Sequence, residues 1–220
     1  MDGSSQMLHA SYYPPREEFA NVITHGFGVI LAGVGLYFLA SEALLTADPW
    51  KLWSSVTFGL CMIACYLCST LYHAVTNLEL KHKMRVADHI GIFLLIAGSY
   101  TPFIIICLNG WISWVFFVLI WGCAVSGIAL RITNSQVPNY VSATPYLIMG
   151  WLAIFAIKPL FDSVGWDGVS LIILGGLIYS IGVVFYLSER IPFNHAIWHL
   201  FVLGGNMCHY FAVLLKVIPY

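Results

Sequence analysis

The sequence predicts an all-α integral membrane protein: a bundle of seven transmembrane helices with the N-terminus in the cytoplasm and the C-terminus outside. Of its 220 residues, 60% are hydrophobic and only 9% are charged, whereas soluble domains carry about 25% charged residues. The hydrophobic residues also collect in seven runs, each long enough to reach the roughly 20 residues that an α-helix needs to cross a bilayer. We therefore expect a multi-pass protein of the cell's inner (plasma) membrane.

Short connections separate the seven apolar runs. Because short loops join antiparallel neighbours, the runs are expected to form one transmembrane domain over residues 17–220, after a short cytoplasmic tail of residues 1–16. The connection after the second run is predicted over residues 77–85. The first run lacks the short basic segment of a signal peptide, so we interpret it as a retained helix. The runs begin near Asn21, Trp50, Val86, Gly110, Tyr140, Asp167 and Asn194.

Three runs contain residues that interrupt helices, namely Gly98 to Pro102, Pro145 and the pair Gly175 and Gly176. Membrane helices tolerate such residues where neighbouring helices satisfy the freed backbone groups. We predict that these positions mark kinks and close packing rather than contacts with a substrate.

The distribution of basic residues predicts the orientation, because cytoplasmic loops are enriched in Lys and Arg. Six basic residues fall on the side of the N-terminus and three on the opposite side. The net charge of −1 and the lack of a basic stripe argue against a nucleic-acid partner. The two groups are Arg16, Lys81, Lys83, Arg85, Arg131 and Arg190 against Lys51, Lys158 and Lys216.

All six cysteines lie inside apolar runs, where cysteine usually serves as a small packing residue. Cys65 and Cys68 form a single C-x-x-C pair, and a structural zinc site of this kind would need a second pair. We predict packing roles for Cys61, Cys65, Cys68, Cys107, Cys123 and Cys208.

Two histidines open the last apolar run. His195 and His199 are four residues apart, so a helix places them on one face, separated by about 6 Å along its axis. Imidazole is costly to leave unpaired in an apolar segment, so this pair is a candidate functional site. One metal ion can take both side chains. The alternative is that each histidine is hydrogen-bonded to a neighbouring helix.

The predicted topology brings further polar residues to the same depth. Ser69 and His73 end the second run, Asp88 begins the third, and all lie near the cytoplasmic face together with His195 and His199. Three imidazoles with an open fourth position form the ligand set of a catalytic zinc site. The sequence therefore predicts Zn²⁺ as the cofactor, held by His73, His195 and His199, and zinc would lower the pKa of a bound water.

Asp88 and Ser69 are the candidate catalytic residues. Asp88 either orients the water or a histidine, or takes the proton of the water as a general base. Ser69 lies one helical turn before His73 and is placed to bond the water or an oxyanion. The alternative for Ser69 is a hydrogen bond to a carbonyl of its own helix.

A second polar group lies at the start of the first run. Glu18, Asn21 and His25 fall along one stripe of a helix, with Thr24 beside them. They either support the metal ligands, form a proton path or clamp neighbouring helices through hydrogen bonds. His89 and His209 are treated as packing or pathway residues.

These motifs resemble the signature blocks of the hemolysin III family, which is grouped with the progestin and adipoQ receptors and, more distantly, with alkaline ceramidases. The resemblance covers residues 17–210. The motifs are Glu18-x-x-Asn21-x-x-Thr24-His25-Gly26, Ser69-x-x-x-His73, Asp88-x-x-Gly91 and Asn194-His195-x-x-x-His199.

The resemblance implies a seven-helix bundle with zinc bound by His73, His195 and His199, and with Asp88 and Ser69 beside the metal-bound water. The wider superfamily is associated with hydrolysis of lipid amides. The chain lacks the long cytoplasmic N-terminal segment of the eukaryotic receptors, so no protein hormone ligand is expected.

Three functions are compatible with these patterns. The first is a zinc-dependent, ceramidase-like hydrolase of a lipid amide or ester, with a membrane lipid as its partner. The second is a non-enzymatic regulator of membrane lipid state or energetics, in which zinc is structural. The third is cytolysis, which the family name implies, although the sequence shows no amphipathic pore-forming segment.

Overall fold

The computed structural model describes residues 13–134, 139–188 and 190–220, and within these ranges the chain is helical. Its helices are α1 (Pro15–Leu45), α2 (Pro49–Ala74), α3 (Leu78–Pro102), α4 (Gly110–Thr133), α5 (Asn139–Trp151), α6 (Ile157–Leu187) and α7 (Asn194–Ala212). Two π-helical segments, Phe103–Cys107 and Val213–Val217, extend α3 and α7, and the 3-10 segment Leu152–Ala156 joins α5 to α6.

The membrane character predicted from composition is confirmed. Six helical segments within the described ranges are long and apolar enough to cross a bilayer.

Of the predicted tail of residues 1–16, residues 1–12 lie outside the described ranges, whereas residues 15 and 16 already belong to α1.

One of the six segments is much longer than a single crossing requires. Val141–Leu187 has 47 residues, which as a straight helix would measure about 70 Å, more than twice the roughly 30 Å of the hydrocarbon core. The segment is kinked at Gly165, which has φ 65° and ψ −172°. Glycine adopts this backbone conformation at little cost because it has no Cβ. The kink lies two residues before the predicted start of an apolar run at Asp167.

The predicted loop over residues 77–85 is wrong, because α3 already begins at Leu78. The side chain of Asn77 accepts a hydrogen bond from the Leu80 backbone N–H and so caps the helix. Lys81 is buried and donates to the carbonyls of Tyr72 and Val75 at the end of α2. The first two turns of α3 are therefore polar but helical, which a search for apolar runs does not detect.

Helix α2 packs extensively against both α1 and α3, α6 packs against α7, and α1 also meets α7. Glycines allow α2 and α3 to approach closely. A Cβ added at Gly91 would lie 2.8 Å from Cys65 Cα, and one at Gly98 would lie 2.5 Å from Cys61 Cβ. Because Gly91 lies one turn beyond Asp88, this close contact places Asp88 against the end of α2. All six cysteines are free, as their predicted packing role requires.

The remaining predicted helix interruptions differ in their effect. Pro145 lies inside α5, and Gly175 and Gly176 lie in the regular part of α6 that follows the kink at Gly165. At Gly175, a Cβ would lie 2.5 Å from His209 Nε2 of α7. This glycine therefore serves close packing, as predicted, without a kink.

Candidate metal centre

The three histidines predicted as metal ligands come together in the structure. His73 lies at the end of α2, whereas His195 and His199 lie in the first turns of α7. Each offers one nitrogen, and these atoms lie within 4.8 Å of one another. The side chains are buried, with relative exposures of 3%, 7% and 1% for His73, His195 and His199. A single metal ion can therefore be held by all three.

The Nδ1 atom of His73 is held by α1. It lies 2.6 Å from Glu18 Oε2, and the other carboxylate oxygen of Glu18 lies 2.8 Å from Lys81 Nζ. An ionised carboxylate only accepts hydrogen bonds, so His73 Nδ1–H donates to Glu18. This assigns the hydrogen to Nδ1 and leaves the Nε2 lone pair for a metal.

The same assignment holds for His199, whose Nδ1 lies 2.9 Å from Thr24 Oγ1. The single hydroxyl hydrogen of Thr24 is directed at the carbonyls of Ala20 and Asn21, 2.9 and 3.0 Å away. The oxygen of Thr24 therefore accepts from His199 Nδ1–H, and Nε2 again keeps its lone pair.

The Nε2 atoms of the group lack adequate partners. Among the residues that the structure describes, those of His73 and His195 are buried with no hydrogen-bond partner, and that of His199 has only Ser69 Oγ at 3.4 Å. Leaving buried polar atoms unpaired costs about 1–3 kcal/mol each. A cation bound between them would satisfy all three, and neutral imidazole suits several transition-metal ions, zinc among them. The residues present therefore fit a metal ion.

The two predicted catalytic residues lie beside the histidines. Asp88 is 7% exposed, and its carboxylate interacts with the His73 ring and the Ser69 hydroxyl. Ser69 is fully buried and contacts His199, while the bond to a carbonyl of its own helix is made by its neighbour Thr70 to Tyr66. The structure thus brings both groups to the triad, and their catalytic roles remain predictions.

The three predicted α1 residues all contact metal-ligand candidates. Glu18 and Asn21 approach His73 Nδ1, at 2.6 and 3.3 Å. His25 instead stacks on His199, with ring centroids 3.5 Å apart and an interplanar angle of 11°. Because His73 Nδ1–H donates to Glu18, the Asn21 Nδ2 group, itself a donor, makes only a contact with Nδ1. Neither nitrogen of His25 has a hydrogen-bond partner in the described part of the chain, so a hydrogen-bonding clamp describes Glu18 but not Asn21 or His25.

Sequence reasoning missed two contributors to this site. Tyr13 was assigned to the tail, yet its hydroxyl lies 3.1 Å from His195 Nδ1. Lys81 was counted as a loop charge, yet it pairs with Glu18 inside the protein. No spacing rule points to Tyr13, whereas the capping residue Asn77 could have placed Lys81 on a helix.

The remaining described histidines lie apart from the triad. His89 Nδ1 donates to the carbonyl of Arg85 at 2.8 Å, and His209 Nε2 donates to that of Ile172 at 3.3 Å. His82 is exposed on α3, and His9 lies outside the described residues.

Two overlapping cavities lie beside α7, with volumes of about 310 and about 70 Å³. The smaller one reaches Trp198 and Val202, which flank His199 along the helix. Both extend to His209, about 15 Å from His199 by helical rise. The residues common to both cavities are Ser99, Tyr100, Gly150, Trp151, Gly176 and His209.

Comparison with known proteins shows the family to which the chain is related. A family model described as "Haemolysin-III related" matches residues 13–210. The chain is 44% identical over 199 residues to the Hemolysin-3 homolog of Bacillus subtilis (strain 168), covering 90% of this chain and 93% of that protein. It is 43% identical over 204 residues to Hemolysin-3 of Bacillus cereus, covering 93% of each. It is 31% identical over 203 residues to the Monocyte to macrophage differentiation factor of Homo sapiens, covering 90% of this chain and 83% of that protein.

Proposed function

The chain belongs to the Haemolysin-III related family, and from that premise we propose that it is a zinc-dependent hydrolase of an amide or ester bond in a membrane lipid. The observation that carries the proposal is the buried triad of His73, His195 and His199, whose Nε2 atoms lack adequate partners among residues 13–134, 139–188 and 190–220. Three neutral imidazoles leave one position of a tetrahedral zinc ion open, which is typical of catalytic rather than structural sites.

The protein is a multi-pass membrane protein, consistent with the plasma membrane. We further propose seven crossings, because the kink at Gly165 divides the 47-residue segment into two parts that can each span the bilayer. The Lys81, Lys83 and Arg85 cluster at the start of α3 supports a cytoplasmic N-terminus.

In the proposed reaction, a zinc ion held by His73, His195 and His199 would act as a Lewis acid and would lower the pKa of water towards neutrality. Asp88 takes the proton of the water that attacks the substrate carbonyl, and later returns it to the leaving amine or alcohol. Ser69 donates a hydrogen bond to the carbonyl oxygen as negative charge develops there. Glu18 and Thr24 keep the rings of His73 and His199 in the tautomer that exposes Nε2. The products are a fatty acid and an amine or alcohol.

The cavities beside α7 are proposed to hold the acyl chain of the substrate. Their lining is almost entirely apolar, and they run from Trp198 and Val202, next to His199, towards His209. An acyl chain lying there would bring its carbonyl towards the triad while the rest of the lipid stays in the membrane.

The direct test uses purified protein, zinc, and a short-chain ceramide-like amide beside the matching ester. We expect release of fatty acid from at least one probe, loss of that release on removal of zinc with a chelator, and recovery when zinc is returned. Absence of release from both probes would contradict hydrolysis, and release that survives removal of the metal would contradict the role of zinc.

The proposal that the two cavities hold the acyl chain can be tested separately at Gly150. A Cβ added there meets nothing within 4 Å, so Gly150→Leu should fold normally while filling space in both cavities. One misplaced methylene in an apolar pocket changes kcat/KM by roughly 10- to 200-fold. We therefore expect at least a tenfold loss of kcat/KM with a long-chain probe, and little change with a short-chain one.

The matched control is Gly122→Leu, because Gly122 on α4 also has open space around it and does not line either cavity. Equal kinetics of the two variants with long-chain probes would place the acyl chain elsewhere.

A non-enzymatic regulator with structural zinc is the second candidate, favoured by the depth of burial of the triad and by its contacts with three helices. In that case zinc should raise the thermal stability of the protein, and every lipid amide and ester probe should remain uncleaved. The third candidate, cytolysis, is favoured by the name of the Bacillus cereus relative, Hemolysin-3. It would appear as zinc-independent leakage from liposomes containing the purified wild-type protein.

A further inference from the structure

We propose that Tyr13 is a positioning residue of the metal centre: its hydroxyl fixes the ring of His195, and its ring covers the centre next to α1. The inference rests on the proposed metal site, although it does not require that the protein be an enzyme. Tyr13 lies before α1, outside the transmembrane helices.

The backbone holds Tyr13 in this position. Pro14 and Pro15 follow it, and proline restricts both its own φ and the conformation of the preceding residue. The Pro14 carbonyl accepts from the backbone N–H groups of Glu17 and Glu18 at the start of α1. The backbone N–H of Tyr13 also donates to Glu18 Oε1, at 3.4 Å. The carboxylate that holds His73 and Lys81 therefore also anchors Tyr13.

The side chain of Tyr13 completes a pattern around the triad. His73 and His199 each donate from Nδ1 to an α1 oxygen, of Glu18 and Thr24 respectively. His195 has no such partner on α1, and its Nδ1 lies 3.1 Å from the Tyr13 hydroxyl. For His195 Nε2 to bind a metal, Nδ1 must carry the hydrogen, and the Tyr13 oxygen is then its acceptor.

The ring of Tyr13 lies over two of the three ligands. Its centroid is 4.9 Å from that of His195 and 5.9 Å from that of His73. Tyr13 therefore contacts ligands on both the α7 and the α2 sides of the site. A phenyl ring at this position would keep the cover but lose the hydrogen bond, so the two roles can be separated.

The test compares Tyr13→Phe and Tyr13→Ala with the wild-type protein, using chelator competition for zinc affinity and stopped-flow transfer of zinc to a chelator for its release rate. Loss of a partner that orients a metal-ligating histidine typically costs 10- to 100-fold in metal affinity. We expect a loss of this size in Tyr13→Phe, and a further increase in the release rate in Tyr13→Ala. The thermal unfolding temperature of the metal-free protein should be the same in Tyr13→Phe and the wild type, which separates positioning from a general structural role.

Tyr37→Phe is the matched control, because Tyr37 is on α1 and 68% exposed; its zinc affinity should equal that of the wild type. If Tyr13→Phe binds and releases zinc like the wild type, the positioning role is wrong while the metal site stands. If the wild-type protein binds no zinc, both the metal site and this inference fail. Wild-type zinc binding without lipid hydrolysis would overturn only the proposed enzymatic function.

Discussion

Replacing His195 with alanine should remove most of the zinc bound by the purified protein. The change leaves two of three ligands and opens a void in a buried site, where His195 is 7% exposed. Zinc affinity depends on the number of ligands that the folded chain holds in place, so a site with two imidazoles should not retain zinc during dialysis. Elemental analysis of the dialysed protein measures this directly. His82→Ala is the control, since His82 is exposed on α3 and is not part of the triad.

Thermal unfolding provides a second measurement on the same variant. A ligand that binds only the folded state raises stability in proportion to the logarithm of its concentration. Added zinc should therefore raise the unfolding temperature of the wild type and of His82→Ala, but not that of His195→Ala. Unchanged zinc content in His195→Ala would exclude His195 as a ligand.

Replacing Asp88 with alanine should leave the zinc content intact and abolish most turnover. Positioned general bases contribute typically 10²- to 10⁴-fold to rate, and we expect a loss of kcat in this range with the ceramide-like probe. Asp88→Asn is the sharper variant, because asparagine keeps the shape of the side chain but cannot take a proton at the pH of the assay. Turnover of Asp88→Asn at the wild-type rate would end the role of Asp88 as base.

The matched control for Asp88 is Glu42→Gln, which removes an exposed carboxylate from α1 and should leave kcat unchanged. The same pair of variants can be expressed in cells for lipid analysis. A lipid that is depleted by the wild type and by Glu42→Gln, but not by Asp88→Ala, would identify the substrate.

The apolar pattern predicted where several helices begin, because a helix that crosses the bilayer needs a long run of apolar residues. Runs predicted to begin near Trp50, Gly110 and Asn194 correspond to helices that begin at Pro49, Gly110 and Asn194. The prediction was wrong at α3, whose first turns are polar. There the stability of the helix comes from the Asn77 cap and from the buried contacts of Lys81, neither of which appears in a hydropathy pattern.

The candidate site could be predicted in part. The i, i+4 spacing of His195 and His199, together with alternating helix direction, was enough to bring His73 to the same depth. The sequence did not predict which side chains contact the Nδ1 atoms of the three histidines. Tyr13 and His195 are 182 residues apart, and no local pattern links a residue before the first helix to one in the last.

By itself, the sequence determined that the chain is an all-helical membrane protein and which polar residues share a depth in it, because hydrophobic length and chain direction are properties of consecutive residues. Only the tertiary structure decided which way each helix is turned about its axis. That rotation sets which imidazole nitrogen meets an α1 oxygen and which faces the shared centre. The rotation of each helix is set by contacts between distant segments, such as Gly91 against Cys65 and Thr24 against His199. These contacts depend on how the helices pack and not on the order of neighbouring residues in the sequence.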